Sequence, residues 1–246
     1  MSVKLATIFV LAAAAVTGAQ PQPSSDRVPV VVELFTSEGC SSCPPADTLL
    51  SRLAHEQPVP GAQIIPLGMH VTYWDQLGWR DPASLIAATS RQQDYGRAMG
   101  LGEDRIYTPQ AVIDGRDQTL GSDEGAVRRA VADAAKRPHA HVALTASLNG
   151  TGTIVANVNV TDVPPDVKEK LRTLVLVTED GLSSVVTRGE NGGHTLHHDA
   201  VVRRLSSNVE IKNVPQTWQR DRLRVVALVQ GEKSQRIFGA AAAAIQ

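Results

Sequence analysis

The sequence predicts an α/β protein whose helices are confined to its first half and whose second half is all strand. Three observations carry that expectation. Between Val28 and Arg137, β-branched apolar runs alternate with stretches where apolar residues recur at helical spacing. Past Arg137-Pro138-His139 the period drops to two, and turn residues interrupt the sequence every few positions. The only two cysteines, Cys40 and Cys43, form a C-x-x-C between the first strand signal and the first helix signal.

The first residues stand apart from this pattern. Lys4 precedes an unbroken apolar run from Leu5 to Val16, followed by the small residues Thr17, Gly18 and Ala19 and then Gln20-Pro21-Gln22-Pro23. That is the layout of a secretory signal peptide, with cleavage expected after Ala19. The run is shorter than the ~20 residues of a membrane-spanning helix, and an uncleaved anchor is the alternative. The expected location is periplasmic or secreted, with no membrane association after cleavage. The expected division is a signal peptide at 1–19, an α/β domain at 28–137 and a β-rich domain at 141–238. The protein has 24 basic and 25 acidic residues, a formal net charge of −1, so no nucleic-acid or membrane-surface footprint is expected. Aromatics are 4% of the sequence, which leaves the core to Val, Ile, Leu and Ala.

Taken in order, Val28–Phe35 (VPVVVELF) reads as a buried strand. After the cysteine pair, Pro44-Pro45 suit a helix start, and Leu49, Leu50 and Leu53 give Ala46–His55 its apolar stripe. Gln63–Met69 is a second strand, with Pro66 an objection to it. His70–Arg80 is a loop rich in aromatics, and Asp81-Pro82 opens a helix over Ala83–Met99. Tyr107-Thr108-Pro109-Gln110 leads into a short strand, Ala111–Asp114, which turns at Gly115-Arg116 toward a partner at Gln118–Leu120. Ser122 caps a helix running to Arg137, with Asp123 and Glu124 in its first turn where the dipole favours acids. The order strand, C-x-x-C, helix, strand, helix, Thr-Pro, strand, strand, helix matches the thioredoxin-like fold.

Beyond the linker, His141–Leu148 alternates, Asn149-Gly150 signals a hairpin, and Ile154–Val160 returns. Thr173–Thr178, Ser183–Arg188, Thr195–Leu205, Val209–Val214, Leu223–Gln230 and Gln235–Phe238 are further strands. Only Pro165–Leu171 reads as briefly helical, and Ala240–Ala244 reads as a frayed tail. This half is expected to be a mainly antiparallel, β-sandwich-like domain.

The cysteines carry the functional expectation. A structural framework spreads several cysteines along a sequence, whereas a Cys40–Cys43 bond closes a tiny loop and constrains little. Two sulfurs are too few for a four-cysteine zinc site. At the amino end of a helix, free N–H groups and the dipole favour thiolate, so Cys40 is the expected nucleophile and Cys43 the resolving thiol. Pro44 and Pro45 qualify this. A residue before proline avoids helical angles, so the helix is free to begin after the motif and leave Cys40 less of the dipole's help. An inert local disulfide is the alternative.

Other residues are placed by the same fold. A cis-proline loop lies beside the cysteines in thioredoxin-like proteins, and Thr108-Pro109 occupies that position, so a cis bond is expected there. Glu33, on the strand leading to Cys40, is a candidate proton acceptor whose pKa burial would raise; the alternative is an acid at the solvated strand edge. His70, Tyr73, Trp74 and Trp79 line the loop after the second strand, either as a wall of the cysteine cleft or as core filling. Arg188, Glu190 and Asn191, in the polar RGENGG segment, are candidates for contact with the first domain or a client. His197 and His198 are adjacent and on a strand face opposite sides, which argues against a metal there.

The segments VVELFTSEGCSSCPPAD (Val31–Asp47), HVTYWDQLGWRDP (His70–Pro82), RQQDY (Arg91–Tyr95), YTPQAVIDG (Tyr107–Gly115), RGENGG and LHHDAVVR resemble a bacterial family of secreted proteins with a thioredoxin-like domain, catalogued as a domain of unknown function. The resemblance implies the two-part architecture and no particular reaction. Compared with thioredoxin, this protein lacks a tryptophan before the first cysteine and has Ser41-Ser42 between the pair, which leaves the direction of electron flow open.

The expectation is therefore an exported thiol–disulfide oxidoreductase with protein or small-thiol clients and no cofactor. The alternatives are a soft-metal module, with Cys40, Cys43 and His70 holding Cu(I), and a non-catalytic binding scaffold.

Overall fold

The computed structural model describes residues 27–102 and 105–246; the signal-peptide reading lies outside them. Among the described residues, three α-helices and thirteen strands make a mixed α/β fold around one large sheet. β1 (Val28–Thr36) leads through the cysteine loop into α1 (Pro44–Glu56), and β2 (Ala62–His70) returns parallel to β1. α2 (Ile86–Ala98) precedes β3 (Gln110–Ile113), β4 (Asp117–Leu120) and α3 (Glu124–Ala134). β3 runs antiparallel to β1, and β4 antiparallel to β3.

Alternation along β1 sorts the layers. Val30, Val32 and Leu34 point to the face packed by α1 and α3, through Leu49, Leu50, Leu53, Val127 and Val131. Val31 and Phe35 point to the other face, where Ala88 and Tyr95 of α2 pack with Met69, Leu176 and Leu228. Helix bounds shift from expectation for local reasons. α1 takes in both prolines, which the first turn tolerates. α2 starts late because Asp81 folds residues 81–84 into a turn, its Oδ1 accepting from Ala83 N–H and its carbonyl from Ser84 N–H. Asp123, rather than Ser122, caps α3 by accepting from Ala126 N–H at 2.9 Å.

The second half differs more. β5 (His141–Leu148), β6 (Ile154–Thr161) and the short β11 (Glu210–Ile211) form a three-stranded sheet. β7 (Leu171–Glu179), β10 (Val201–Ser206), β12 (Leu223–Gly231) and β13 (Ile237–Ala244) do not build a sandwich of their own. They continue the first sheet, in the order β13-β12-β7-β10-β2-β1-β3-β4. The joint is β2, whose free edge takes β10 in parallel, with Gly68 N–H donating to Ala200 O at 2.8 Å. The three-stranded sheet packs on Val175, Val177 and Val225 through Ala146, Ile154 and Ile211. A two-residue period reports which face a strand buries but not which edge it joins, so the continuation was not readable. The Thr195–Leu205 run is cut into β9 (Thr195–His198) and β10 by Ala200 at φ 53°, and β9 pairs only with β8 (Leu182–Val185). Residues 165–170 are not helical, and the alanine tail is the outer strand β13, paired along β12.

The β3–β4 and β12–β13 turns meet backbone to backbone. Ile237 N–H donates to Asp114 O, and a Cβ at Gly115 (φ 61°) would stand 2.2 Å from Gln235 O. Gly115→Ala is therefore expected to cost more than about 1 kcal/mol, read as a lower midpoint in urea unfolding.

Candidate functional site

β1 ends at Thr36, and residues 37–43 turn into α1. Cys40 N–H donates to Ser37 O and Cys43 N–H to Cys40 O, a coil that draws the two cysteines together. They are joined as a disulfide, with Cα atoms 5.4 Å apart. α1 begins at Pro44 with Cys43 in the N-cap position, so the helix starts after the motif. The positive end of its dipole therefore falls on Cys43, one turn beyond Cys40. The Ser42 hydroxyl, 3.4 Å from Cys40 Sγ, is a hydrogen-bond donor available to a thiolate there.

Around this loop the fold gathers polar groups. The backbone N–H of Glu38 donates to Asp81 Oδ2 at 2.9 Å, and the same oxygen lies 2.7 Å from His70 Nδ1. Glu38 Oε2 accepts from Trp79 Nε1 at 2.8 Å, and its Oε1 stands 3.4 Å from His198 Nε2. His198 Nδ1 is 3.8 Å from Asp47 Oδ2, and the His198 ring meets His70 edge to face at 4.8 Å. Asp47 stands four residues after Cys43, on the same face of α1. Glu38, Asp47, His70, Asp81 and His198 are all buried. Both ring nitrogens of His198 and the Thr36 hydroxyl have no hydrogen-bond partner.

The electrostatics follow from burial. Burial holds the Asp47 carboxyl above its usual range, against the opposing pull of His198 and His70. Burial would lower His70, but the Asp81 carboxylate beside it, with Asp47 and Glu38 farther off, raises it instead. Burial would raise Asp81, but His70 and the N–H groups of Glu38 and Ala83 bring it below normal. The cluster thus holds one His–Asp ion pair and a second carboxyl that gives up its proton reluctantly. Among the described residues, no group of three or more His, Cys, Asp and Glu side chains is arranged to hold a metal ion.

The expected site residues divide into two sets. Trp74 packs over Gly39 and donates from Nε1 to Thr108 Oγ1 at 2.8 Å, which brings the Thr108-Pro109 loop against the cysteine turn. The Thr108–Pro109 bond is cis, and Pro109 lies beside Ala46 of α1 across Gly121. Asn191 and Glu190 reach the cysteine loop from the β8–β9 hairpin, while Arg188 is exposed. His70 is buried against Asp81, and Tyr73, 36% exposed, bonds Gln92. His197 faces solvent and His198 the interior.

Glu33 lies elsewhere. It is on the α2 face of β1, opposite α1, with Arg91 Nε 2.5 Å from its Oε1, Arg91 Nη2 3.0 Å from its Oε2, and Tyr95 Oη bonded to it as well. The acids that flank the pair in sequence and share the buried cluster are Glu38 and Asp47. Sequence reasoning did not place them in the site, nor Asp81, and weighed His198 only as a metal ligand, although all four lie inside the quoted segments. The usable signal was spacing: Glu38 two residues before Cys40, and Asp47 one helical turn past Cys43.

Over residues 31–235 the protein matches the model of the family described as "Protein of unknown function (DUF1223)", and it belongs to that family. Among solved structures it is similar to the X-ray crystal structure of protein AGR_C_4864 from Agrobacterium tumefaciens, at 25% identity and a TM-score of 0.65, covering 89% of this protein and 95% of that one. It is also similar to HBP35 of Porphyromonas gingivalis, at 15% identity and a TM-score of 0.63, covering 91% and 77%, a likeness of fold alone. No curated protein matches it.

Proposed function

We propose that this member of the DUF1223 family is an exported thiol–disulfide exchange protein, built on a thioredoxin-like arrangement of β1, α1, β2, α2, β3, β4 and α3. The observation that carries the reading is the company of the disulfide. A bond between residues three apart contributes at most about 2 kcal/mol by loop closure, so stapling is a weak reason to keep it. Buried carboxylates and imidazoles are costly, and clusters of them concentrate where protons move. Here a buried cluster of carboxyls and imidazoles is built on residues flanking the pair, with Glu38 two residues before Cys40, Asp47 four after Cys43, and His198 reaching both acids.

In the reducing direction, the Cys40 thiolate attacks a client disulfide, forming a mixed disulfide and releasing the client's other sulfur as thiolate. Cys43 gives its proton to a nearby acceptor, for which Asp47 on the same helix face is best placed, and attacks the Cys40 sulfur. The Cys40–Cys43 bond forms, and the client leaves as a dithiol after taking up two electrons and two protons. Reading the steps backward oxidises a client dithiol. The Thr108-Pro109 loop, Tyr73 and Trp74 form the client's side of the site, His70 supports the acids behind the pair, and Arg188, Glu190 and Asn191 lie toward the client. The signal layout of residues 1–19 suggests a periplasmic or secreted location, where such a bond persists.

The test is the reduction potential of the pair, measured by equilibrating the protein in glutathione buffers and counting alkylated thiols by mass. A value between about −120 and −270 mV is expected; one below about −300 mV marks a structural bond and sinks the proposal. Single substitutions then assign the roles. Cys43→Ser should accumulate a mixed disulfide with clients and Cys40→Ser none, whereas the reverse would give the attack to Cys43.

A further inference from the structure

Both sulfurs of the disulfide are sealed, Cys40 and Cys43 each being 0% exposed although Ser41 and Ser42 between them are open to solvent. Against the loop that carries them lies the tip of the β8–β9 hairpin, residues 186–194. Ser41 N–H donates to Glu190 Oε2 at 2.9 Å, and Asn191 Nδ2 donates to Glu38 O at 2.8 Å and to Cys40 O at 3.0 Å. Beside these bonds Gly189 lies flat on Trp79, where a Cβ would come within 3.1 Å of Trp79 Cβ.

The hairpin that carries the tip is lightly held. Its two strands form a sheet of their own, with four residue pairs from Leu182↔His198 to Val185↔Thr195, and do not join the eight-stranded sheet. A two-stranded hairpin is marginal by itself, so its place against the cysteine loop depends on the tip bonds and on the buried Val186, Leu196 and His198.

The chemistry of the tip bonds indicates what would replace them. The cysteine loop presents one backbone N–H, at Ser41, and two backbone carbonyl oxygens, at Glu38 and Cys40. The hairpin answers with one acceptor and one donor group carried on side chains. An extended polypeptide supplies the same pair from its own carbonyl and N–H groups, and backbone recognition of this kind does not depend on sequence. Resting on the exchange reading above, we infer that the tip is a displaceable cover holding the place of a polypeptide client. A protein segment lifts the tip, takes over its bonds to Ser41, Glu38 and Cys40 with its own backbone, and brings a cysteine onto the pair. Its thiolate then bonds one sulfur of the pair and the other sulfur leaves as thiolate. Small thiols without peptide groups gain no such hold and react slowly.

The experiment uses the oxidised full-length protein and follows the appearance of alkylatable thiols by mass. With a phosphine reductant, Asn191→Ala should react about tenfold or more faster than the unsubstituted protein, having lost two of the three bonds. Glu190→Ala should be faster by about fivefold, while Glu190→Gln, whose amide oxygen still accepts from Ser41 N–H, should stay close to the unsubstituted rate. Equal rates in all four proteins would overturn the cover. Glu190 is exposed, so its pair of variants keeps the test decisive even if Asn191→Ala fails to fold. With a linear peptide holding one central cysteine, reduction of the unsubstituted protein should be about tenfold faster than with the same peptide N-methylated on both flanking amides. Equal rates there would overturn the polypeptide client. Phosphine reactivity is independent of any exchange role, so a pair with the potential of a structural bond would sink the exchange reading while leaving the cover standing.

Discussion

Replacing Arg91 with methionine is expected to destabilise the fold by about 3–5 kcal/mol, a large share of the 5–15 kcal/mol typical of a whole domain. Arg91 is 5% exposed and Glu33 0%, and no water can screen the carboxylate once its partner is gone. The guanidinium bonds both Glu33 oxygens, Gln230 Oε1 and Tyr95 Oη, so its loss takes bonds from β1, α2 and β12 together and leaves the Glu33 charge unpaired. Burial and the adjoining Glu33 carboxylate hold the Tyr95 hydroxyl well above its normal pKa despite Arg91, so it remains a neutral donor. Adding Glu33→Gln to Arg91→Met removes the stranded charge and should restore at least half of the loss, measured by urea unfolding of both proteins. The same double variant separates structure from chemistry. Because Glu33 is across the sheet from α1, phosphine reduction and client exchange per folded molecule should match the unsubstituted protein. A double variant that folds but has lost exchange would return Glu33 to the role of proton acceptor.

That result bears on how much a sequence discloses. The segments β1, α1, β2, β3, β4 and α3 were legible from local pattern: Leu49, Leu50 and Leu53 at helical spacing on α1, an unbroken β-branched run on β1, and the Gly115-Arg116 turn between β3 and β4. β13 was not, since alanines are poor strand formers taken alone. Its pairing comes from β12, with Ala240 to Ala244 opposite Leu228 to Arg224. The cysteines and the Thr108-Pro109 loop could be placed from local order. Glu33 was placed on β1, but its pairing with Arg91 was not readable, because the sequence shows the alternation of β1 but not which face each helix will cover. His198 was out of reach altogether, being carried back to Asp47 and Glu38 by a hairpin about 150 residues further along the sequence. Its position depends on Ala200 turning the backbone out of β9 at a positive φ, a bend with no composition signal.

Asp81 is the second residue whose loss should be severe, and here the expected result depends on pH. Its carboxylate accepts from Glu38 N–H, Ala83 N–H and His70, so it fixes the turn before α2 and the loop before Cys40 at once. Asp81→Asn leaves an amide that can accept at one oxygen only, and a cost of about 3 kcal/mol is expected where the ion pair is fully formed. The sign follows from the two shifts. Asp81 is lowered from 3.8, so its share of stability is present above that value and is lost as pH falls through the lower folded value. His70 is raised from 6.5, so its share is present below 6.5 and is lost as pH rises through the higher folded value. Both shares are in force between about pH 4 and 6.5, and there the gap between the unsubstituted protein and Asp81→Asn should be widest. As pH rises through the raised folded value of His70 the charge term vanishes, and the gap should shrink to the lost backbone bonds, about 1–2 kcal/mol. Asp47 is raised, so it favours the folded state on the acid side, but it does so in both proteins and largely cancels from the difference. Urea unfolding of the two proteins from pH 4.5 to 9 reads the gap directly. A gap that stays flat with pH would mean that His70 and Asp81 do not share a charge, and that the cluster behind the cysteines is held by neutral hydrogen bonds alone.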